Sequence, residues 1–117
     1  MAEMSAEKQQ LLDWIEADRD TLIQFFSDFV AAASPNPPGD TTVAVKHITD
    51  FLDAEGLPYR VIDPQPTMAN VVGTFEGGGP GRHLVLNGHI DCFPVEEGDD
   101  RWTHGPWSGA VADGKVW

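Results

Sequence analysis

Residues 34–39 read Ser-Pro-Asn-Pro-Pro-Gly, and no α-helix continues through such a segment. Proline has no amide hydrogen to donate, and its ring clashes with the preceding helical turn. The chain is therefore divided near its first third. Upstream, Leu11, Ile15, Leu22, Phe26 and Val30 recur at helical spacing, which predicts a helix over residues 5–33 with one apolar stripe, kinked near Asp18 to Asp20. Downstream, Asp40 or Thr41 is placed to cap a second helix running to about Glu55. Val45, Ile48 and Leu52 would line its buried face, and Gly56 is its natural stop.

Past Gly56 the pattern changes to strands. Three runs qualify: residues 59–62, residues 70–75 (Asn-Val-Val-Gly-Thr-Phe) and residues 82–87. The first is short, and the second is rich in β-favouring side chains. Gly77 to Gly81 (Gly-Gly-Gly-Pro-Gly) reads as the turn of a hairpin between the last two. The unbroken Leu84-Val85-Leu86 run predicts a strand covered on both faces. The order of helix, helix and then strands is that of an α/β or α+β layered domain. Near the end, Asp113-Gly114 between Val111-Ala112 and Lys115-Val116 is a two-residue hairpin turn. The return strand has only begun at Trp117, so the chain is expected to be a piece of a longer protein.

Composition narrows the partners. The 117 residues carry 19 acidic and 7 basic side chains, a net charge of −12. That argues against nucleic acid, which requires clustered Lys and Arg for its phosphates, and against an anionic membrane surface. Apolar residues make up 41% of the chain, enough to expect folding rather than disorder. A lone cysteine, Cys92, forms no internal disulfide and fits a reducing compartment. No apolar run approaches a membrane span, and the first ten residues lack the layout of a signal peptide. A cytoplasmic protein is the expectation.

Among the four histidines, His89 stands apart. It follows the apolar run and a glycine in Leu-Val-Leu-Asn-Gly-His-Ile-Asp-Cys-Phe-Pro (84–94), with Asp91 two residues on. In extended backbone, residues i and i+2 face the same way. His89 and Asp91 are therefore expected to project together from a strand end into a cleft, where open α/β sheets bind ligands. A histidine that ligates zinc usually passes its other ring proton to a carboxylate or carbonyl, and Asp91 is placed to receive it. The tripeptide alone is a weak signal, because His-x-Asp arises readily by chance.

The longer pattern is more specific. Gly88-His89-Ile90-Asp91, then Pro94, the Trp102 to Trp107 turn and the Asp113-Gly114-Lys115 hairpin follow one another in the order seen in metallopeptidase family 20. The chain resembles that family of acetylornithine deacetylases, succinyl-diaminopimelate desuccinylases, aminoacylases and carboxypeptidases. The proline-rich loop at 34–40 and the strand at 70–75 extend the resemblance upstream. It implies an α/β fold in which two helices precede the strands of a mixed sheet, with residues 1–117 as the incomplete N-terminal part of a catalytic metallohydrolase domain. It also implies that His89 binds one of two zinc (or cobalt) ions and that Asp91 is the active-site carboxylate that orients it. The substrate would be an N-acyl amino acid or small peptide. A bridging aspartate, two glutamates, the later ligands and a lid domain through which such enzymes often form homodimers would all lie outside these residues. One protein ligand does not hold a zinc site, which takes three or four. The 117 residues alone are thus expected to be inactive and to bind zinc poorly. The rival readings are a non-catalytic truncated product and a small binding domain.

The remaining candidates are read more plainly. His104 is taken as a loop residue, His83 as exposed, and His47 as a surface or half-buried helix residue. Cys92 is taken as a small buried filler rather than a zinc thiolate. Glu96, Glu97, Asp99 and Asp100 form a solvated acidic turn, and Trp102, Trp107 and Trp117 pack the hairpin. Gly77 to Gly81 lacks a phosphate-binding pattern.

Overall fold

Asp18 interrupts the first helical segment for one residue. The computed structural model, which describes residues 4–96 and 98–117, places α1 at Ala6–Ala17 and α2 at Arg19–Ala31. Asp18 has φ −92° and ψ 4°, outside helical geometry, yet hydrogen bonds run through it from Asp18 N to Trp14 O and from Leu22 N to Asp18 O. Arg19 reinforces the bend by donating Nε to both carboxylate oxygens of Glu16. At the start of α1 the Ser5 hydroxyl accepts from Lys8 N, and Glu7 in the first turn suits the helix dipole. Met1, Ala2, Glu3 and Glu97 lie outside the described residues, so one member of the expected acidic turn, Glu97, is not placed.

The expected stripe of Leu11, Ile15, Leu22, Phe26 and Val30 is not what packs. Its first four members are more than half exposed. The contact face is instead set by Phe25 and Phe29 of α2, one helical turn apart, which meet His47 and Phe51 of α3 (Thr42–Ala54). The Phe25 ring centroid lies 4.5 Å from that of His47 and 4.9 Å from that of Phe51. Two i, i+4 pairs thus interlock across the α2–α3 contact. Val45, Ile48 and Leu52, expected as the buried face of α3, are half-buried, and only Ala44 in that helix is fully buried.

Both ends of α3 are chemically defined. Asp40 Oδ1 accepts from Thr42 N at 2.9 Å, and Thr41 N and Oγ1 both donate to Thr67 O. At the other end, Gly56 has φ +64°, while Gly56 N donates to Asp53 O and Leu57 N to Leu52 O. These are the two bonds of a Schellman motif, with glycine at the left-handed position where a side chain would be strained.

Among the described residues the strands pair in two antiparallel ribbons. β1 (Tyr59–Ile62) pairs with β2 (Asn70–Gly73) in the register Tyr59↔Gly73 to Ile62↔Asn70. β3 (Val111–Ala112) pairs with β4 (Lys115–Val116), and Asp113 (φ 53°) and Gly114 (φ 72°) supply the two positive φ angles that this hairpin turn needs. The chain is thus an α/β structure of three helices and short antiparallel strands. Two expectations are corrected. The hairpin partner of β2 is β1 rather than residues 82–87, and residues 82–87 form no ladder among the described residues. Leu84, Val85 and Leu86 are exposed instead of covered on both faces, because nothing among the described residues lies alongside them to accept the run.

The second ribbon is attached to α2. Ser27 Oγ donates to Gly109 O, and Gly109 has φ +62° with its Cα so near the helix that a Cβ would lie 2.5 Å from Ser27 O. Only glycine fits there. No described helix is long and apolar enough to cross a membrane.

Candidate functional site

His89 and Asp91 are held by the proline-rich loop. Pro35 and Cys92 form an isolated parallel bridge. Asn36 N donates to Cys92 O at 2.8 Å, and Cys92 N to Ser34 O at 3.0 Å. The buried Ser34 hydroxyl adds a bond to Ile90 O. Three consecutive residues of one loop therefore grip residues 90–92, although the two segments lie more than fifty positions apart in the chain. Pro35 suits this role because the bridge asks for no amide hydrogen from it. This bridge replaces the strand end from which the two side chains were expected to project.

Within this frame the two side chains meet. His89 Nδ1 lies 3.0 Å from Asp91 Oδ1 and 2.8 Å from the Asp91 carbonyl oxygen. A carbonyl and an ionised carboxylate only accept, so Nδ1 carries the hydrogen and donates to both. In the neutral ring this leaves Nε2 with a free lone pair, which is the form in which imidazole binds a metal. Asp91 receives a second donor, Asn36 Nδ2, at 2.9 Å on its other oxygen, Oδ2. The Asn36 amide first, and the His89 ring next, hold the Asp91 carboxyl below its usual range. Asp91 is thus ionised near neutral pH, as its acceptor role requires.

The setting is open. The His89 side chain is 84% exposed, on a bare surface and not in the cleft that was expected. Asn36 is the member of this constellation that sequence reasoning missed. The available signal was an amide side chain in a loop otherwise of proline, serine and glycine, where its polar group needs a partner. Among the described residues no group of three or more His, Cys, Asp or Glu is arranged to hold a metal ion. The donor set therefore suits His89 as a single ligand and does not make a complete site.

The other candidates fall away from this centre. His47 is half-buried, and its Nε2 lies 3.1 Å from Phe25 O. His83 is exposed. His104 packs edge-on against Trp117, with ring centroids 5.1 Å apart. Trp117 itself closes over the last hairpin, donating Nε1 to Ala112 O while Lys115 Nζ sits 5.2 Å above its ring. Cys92, expected as a buried filler, is exposed: its backbone is used in the bridge, and nothing covers its side chain. In the acidic turn, Asp99 is engaged rather than merely solvated. Arg101 donates Nε and Nη2 to its two oxygens at 2.8 and 2.7 Å, which lowers the Asp99 carboxyl to about 2. A carboxylate so occupied is not free for a cation.

No family profile matches the chain, and no solved structure matches it. It is similar in sequence to N-formyl-4-amino-5-aminomethyl-2-methylpyrimidine deformylase of Halalkalibacterium halodurans, at 29% identity over 111 residues, which is 92% of this chain and 26% of that enzyme. It is also similar to succinyl-diaminopimelate desuccinylase of Methylorubrum extorquens, at 36% identity over 73 residues, which is 61% of this chain and 19% of that enzyme. The chain thus spans about a quarter of the length of the first relative and a fifth of the second. At the level both share, it resembles acyl-removing hydrolases.

Proposed function

We propose that residues 1–117 are the N-terminal part of the catalytic domain of a metal-dependent amidohydrolase, with His89 as a ligand to one of two zinc ions and Asp91 as its orienting carboxylate. The observation that carries this reading is the placement of His89 Nδ1 within hydrogen-bond distance of two acceptors, which implies the Nδ1–H tautomer and a free Nε2. Both similar enzymes are named for removing an acyl group, formyl from an aminopyrimidine in one and succinyl from diaminopimelate in the other, which supports a small N-acyl compound as substrate; within that class the reading takes an N-acyl amino acid or small peptide. The exposed Leu84-Val85-Leu86 run supports a larger domain in which further strands lie beside it.

The contribution of this chain's residues is positional. His89 offers one neutral nitrogen lone pair at a defined point. Asp91 keeps the ring in the required tautomer and spreads the positive charge that ligation draws onto it. His89 would hold a divalent ion together with ligands outside these residues, and that ion would supply Lewis-acid chemistry for the scissile carbonyl and a more acidic water.

The test compares the 117-residue chain with a protein of the relatives' length that contains it, measuring bound zinc and hydrolysis of N-formyl and N-succinyl amino acids. Activity and about two zinc ions per chain are expected only in the longer protein. There, His89→Ala should remove metal and activity together, and Asp91→Asn should lower metal affinity or rate roughly 10- to 100-fold. Tight zinc binding by the 117 residues alone would overturn the reading, since it would mean that the full ligand set is already present.

A further inference from the structure

Asp91 has two carboxylate oxygens, and only one of them faces His89. Rotation about its side chain would exchange them or carry both away from the ring, and on an open surface water competes for each. What opposes that rotation is the second hydrogen bond, from Asn36 Nδ2 to Oδ2 at 2.9 Å. Asn36 is itself unusually well placed for a loop residue. Its own amide donates to Cys92 O at 2.8 Å, so its backbone is fixed next to Asp91 before its side chain is considered. Ser34, two residues earlier, fixes the other side of the same segment through Ile90 O and Cys92 N.

We infer that Asn36 is a positioning residue that acts on His89 through Asp91. Its amide holds the carboxylate in the one rotation that presents Oδ1 to His89 Nδ1, and so strengthens the preference for the ring tautomer with a free Nε2 beyond what the Asp91 carbonyl alone provides. The inference rests on the proposed ligand role of His89 for its consequence in the longer protein, but the linkage from Asn36 to the ring exists in this chain without any metal. The amide is the right group for the task. It donates without adding a positive charge, so it fixes the carboxylate and leaves that charge available to the imidazole. A lysine or arginine at position 36 would compete with His89 for Asp91.

The test reads the tautomer directly, from the ring ¹⁵N chemical shifts of His89 in the metal-free 117-residue chain at a pH where the imidazole is neutral. Free neutral imidazole side chains in water prefer the Nε2–H form, so a dominant Nδ1–H form is a signature of the contact. The unmodified chain is expected to show mainly Nδ1–H. Asn36→Ala should move the ring toward the Nε2–H form, and Asn36→Asp, which keeps the size but replaces the donor by an acceptor, should do so at least as far. In an Asp91→Ala background only the backbone carbonyl of residue 91 remains to accept from Nδ1, so the Nδ1–H share should already be reduced, and Asn36→Ala should add no further change. A merely structural role for Asn36 would disturb the backbone shifts of residues 90–92 equally in both backgrounds and leave the tautomer response uncoupled from Asp91. An unchanged tautomer in either Asn36 variant with the Pro35–Cys92 bridge intact overturns the inference. Should the alanine variant lose the bridge, the aspartate variant decides. Because no metal is present, failure here is separate from failure of the zinc assignment, which is read from metal content in the longer protein.

Discussion

At the scale of single residues, the decisive events are hydrogen bonds to carboxylates. Asp99 and Asp91 carry lowered carboxyl groups for different reasons: the first through a two-pronged arginine, the second through an amide and an imidazole. For Asp99 the consequence is a pH window. A carboxyl whose folded value lies below its ordinary 3.8 stabilises the turn above that value and loses the contribution as pH falls toward about 2. The Asp99 carboxyl carbon should therefore titrate near 2 by NMR, and Arg101→Ala should return it to the ordinary range. A titration unchanged by Arg101→Ala would show that the pair does not persist in solution. Of the candidate site residues, His89 and Asp91 were legible as a pair because they are two positions apart in sequence. Asn36 was not, because its partner lies 55 residues away and no local rule links them.

At the scale of elements, local chemistry read well wherever the deciding atoms are close in the chain. The bend at Asp18, the stop at Gly56 and the Asp113-Gly114 turn all stand where propensity placed them, and β1 has the span expected. Gly56 offers a clean measurement, since a Cβ there meets no atom within 4 Å and only its φ of +64° is at stake. Gly56→Ala should cost about 1 kcal/mol, which in amide exchange is about a fivefold faster rate at Leu57 if local opening governs it. Gly109→Ala should cost more, because its Cβ also meets the backbone of Ser27. An effect of Gly109→Ala no larger than that of Gly56→Ala would mean that the second ribbon does not rest on α2 as described. The helix faces were less legible. Both helices carry apolar residues on more than one side, and periodicity alone did not reveal that Phe25 and Phe29 would be the residues matched by an aromatic pair on α3.

At the scale of the whole molecule the chain is expanded. Its radius of gyration is 17.5 Å, against about 13 Å for a compact domain of this length. Buried apolar residues are limited to Ala32 and Ala44 among those described, whereas Leu84, Leu86 and Phe93 are 79%, 86% and 91% exposed. Apolar side chains left in water in an unpaired extended segment favour association. The 117-residue chain should therefore bind a hydrophobic dye and form larger species as its concentration rises in sedimentation velocity. Combining Val85→Lys with Phe93→Ser should suppress both. A monodisperse monomer without dye binding at high concentration would contradict the exposed placement of this segment.

The sequence by itself determined the helix boundaries, the Asp113-Gly114 turn, the α/β class and the pairing of His89 with Asp91, whereas the hairpin turn expected at Gly77 to Gly81 did not form. Capping, proline and glycine geometry and the two-residue strand repeat act over a few residues and need no knowledge of the rest. Only the tertiary structure decided which segments meet: β1 with β2, the aromatic face of α2 with α3, and the proline-rich loop with residues 90–92. Those choices depend on closing long loops and matching surfaces, whose free energies are shared among many distant residues. The same physics leaves residues 84–86 uncovered. Their apolar pattern favours a buried strand, but burial requires neighbouring strands, and none lies beside them among the described residues.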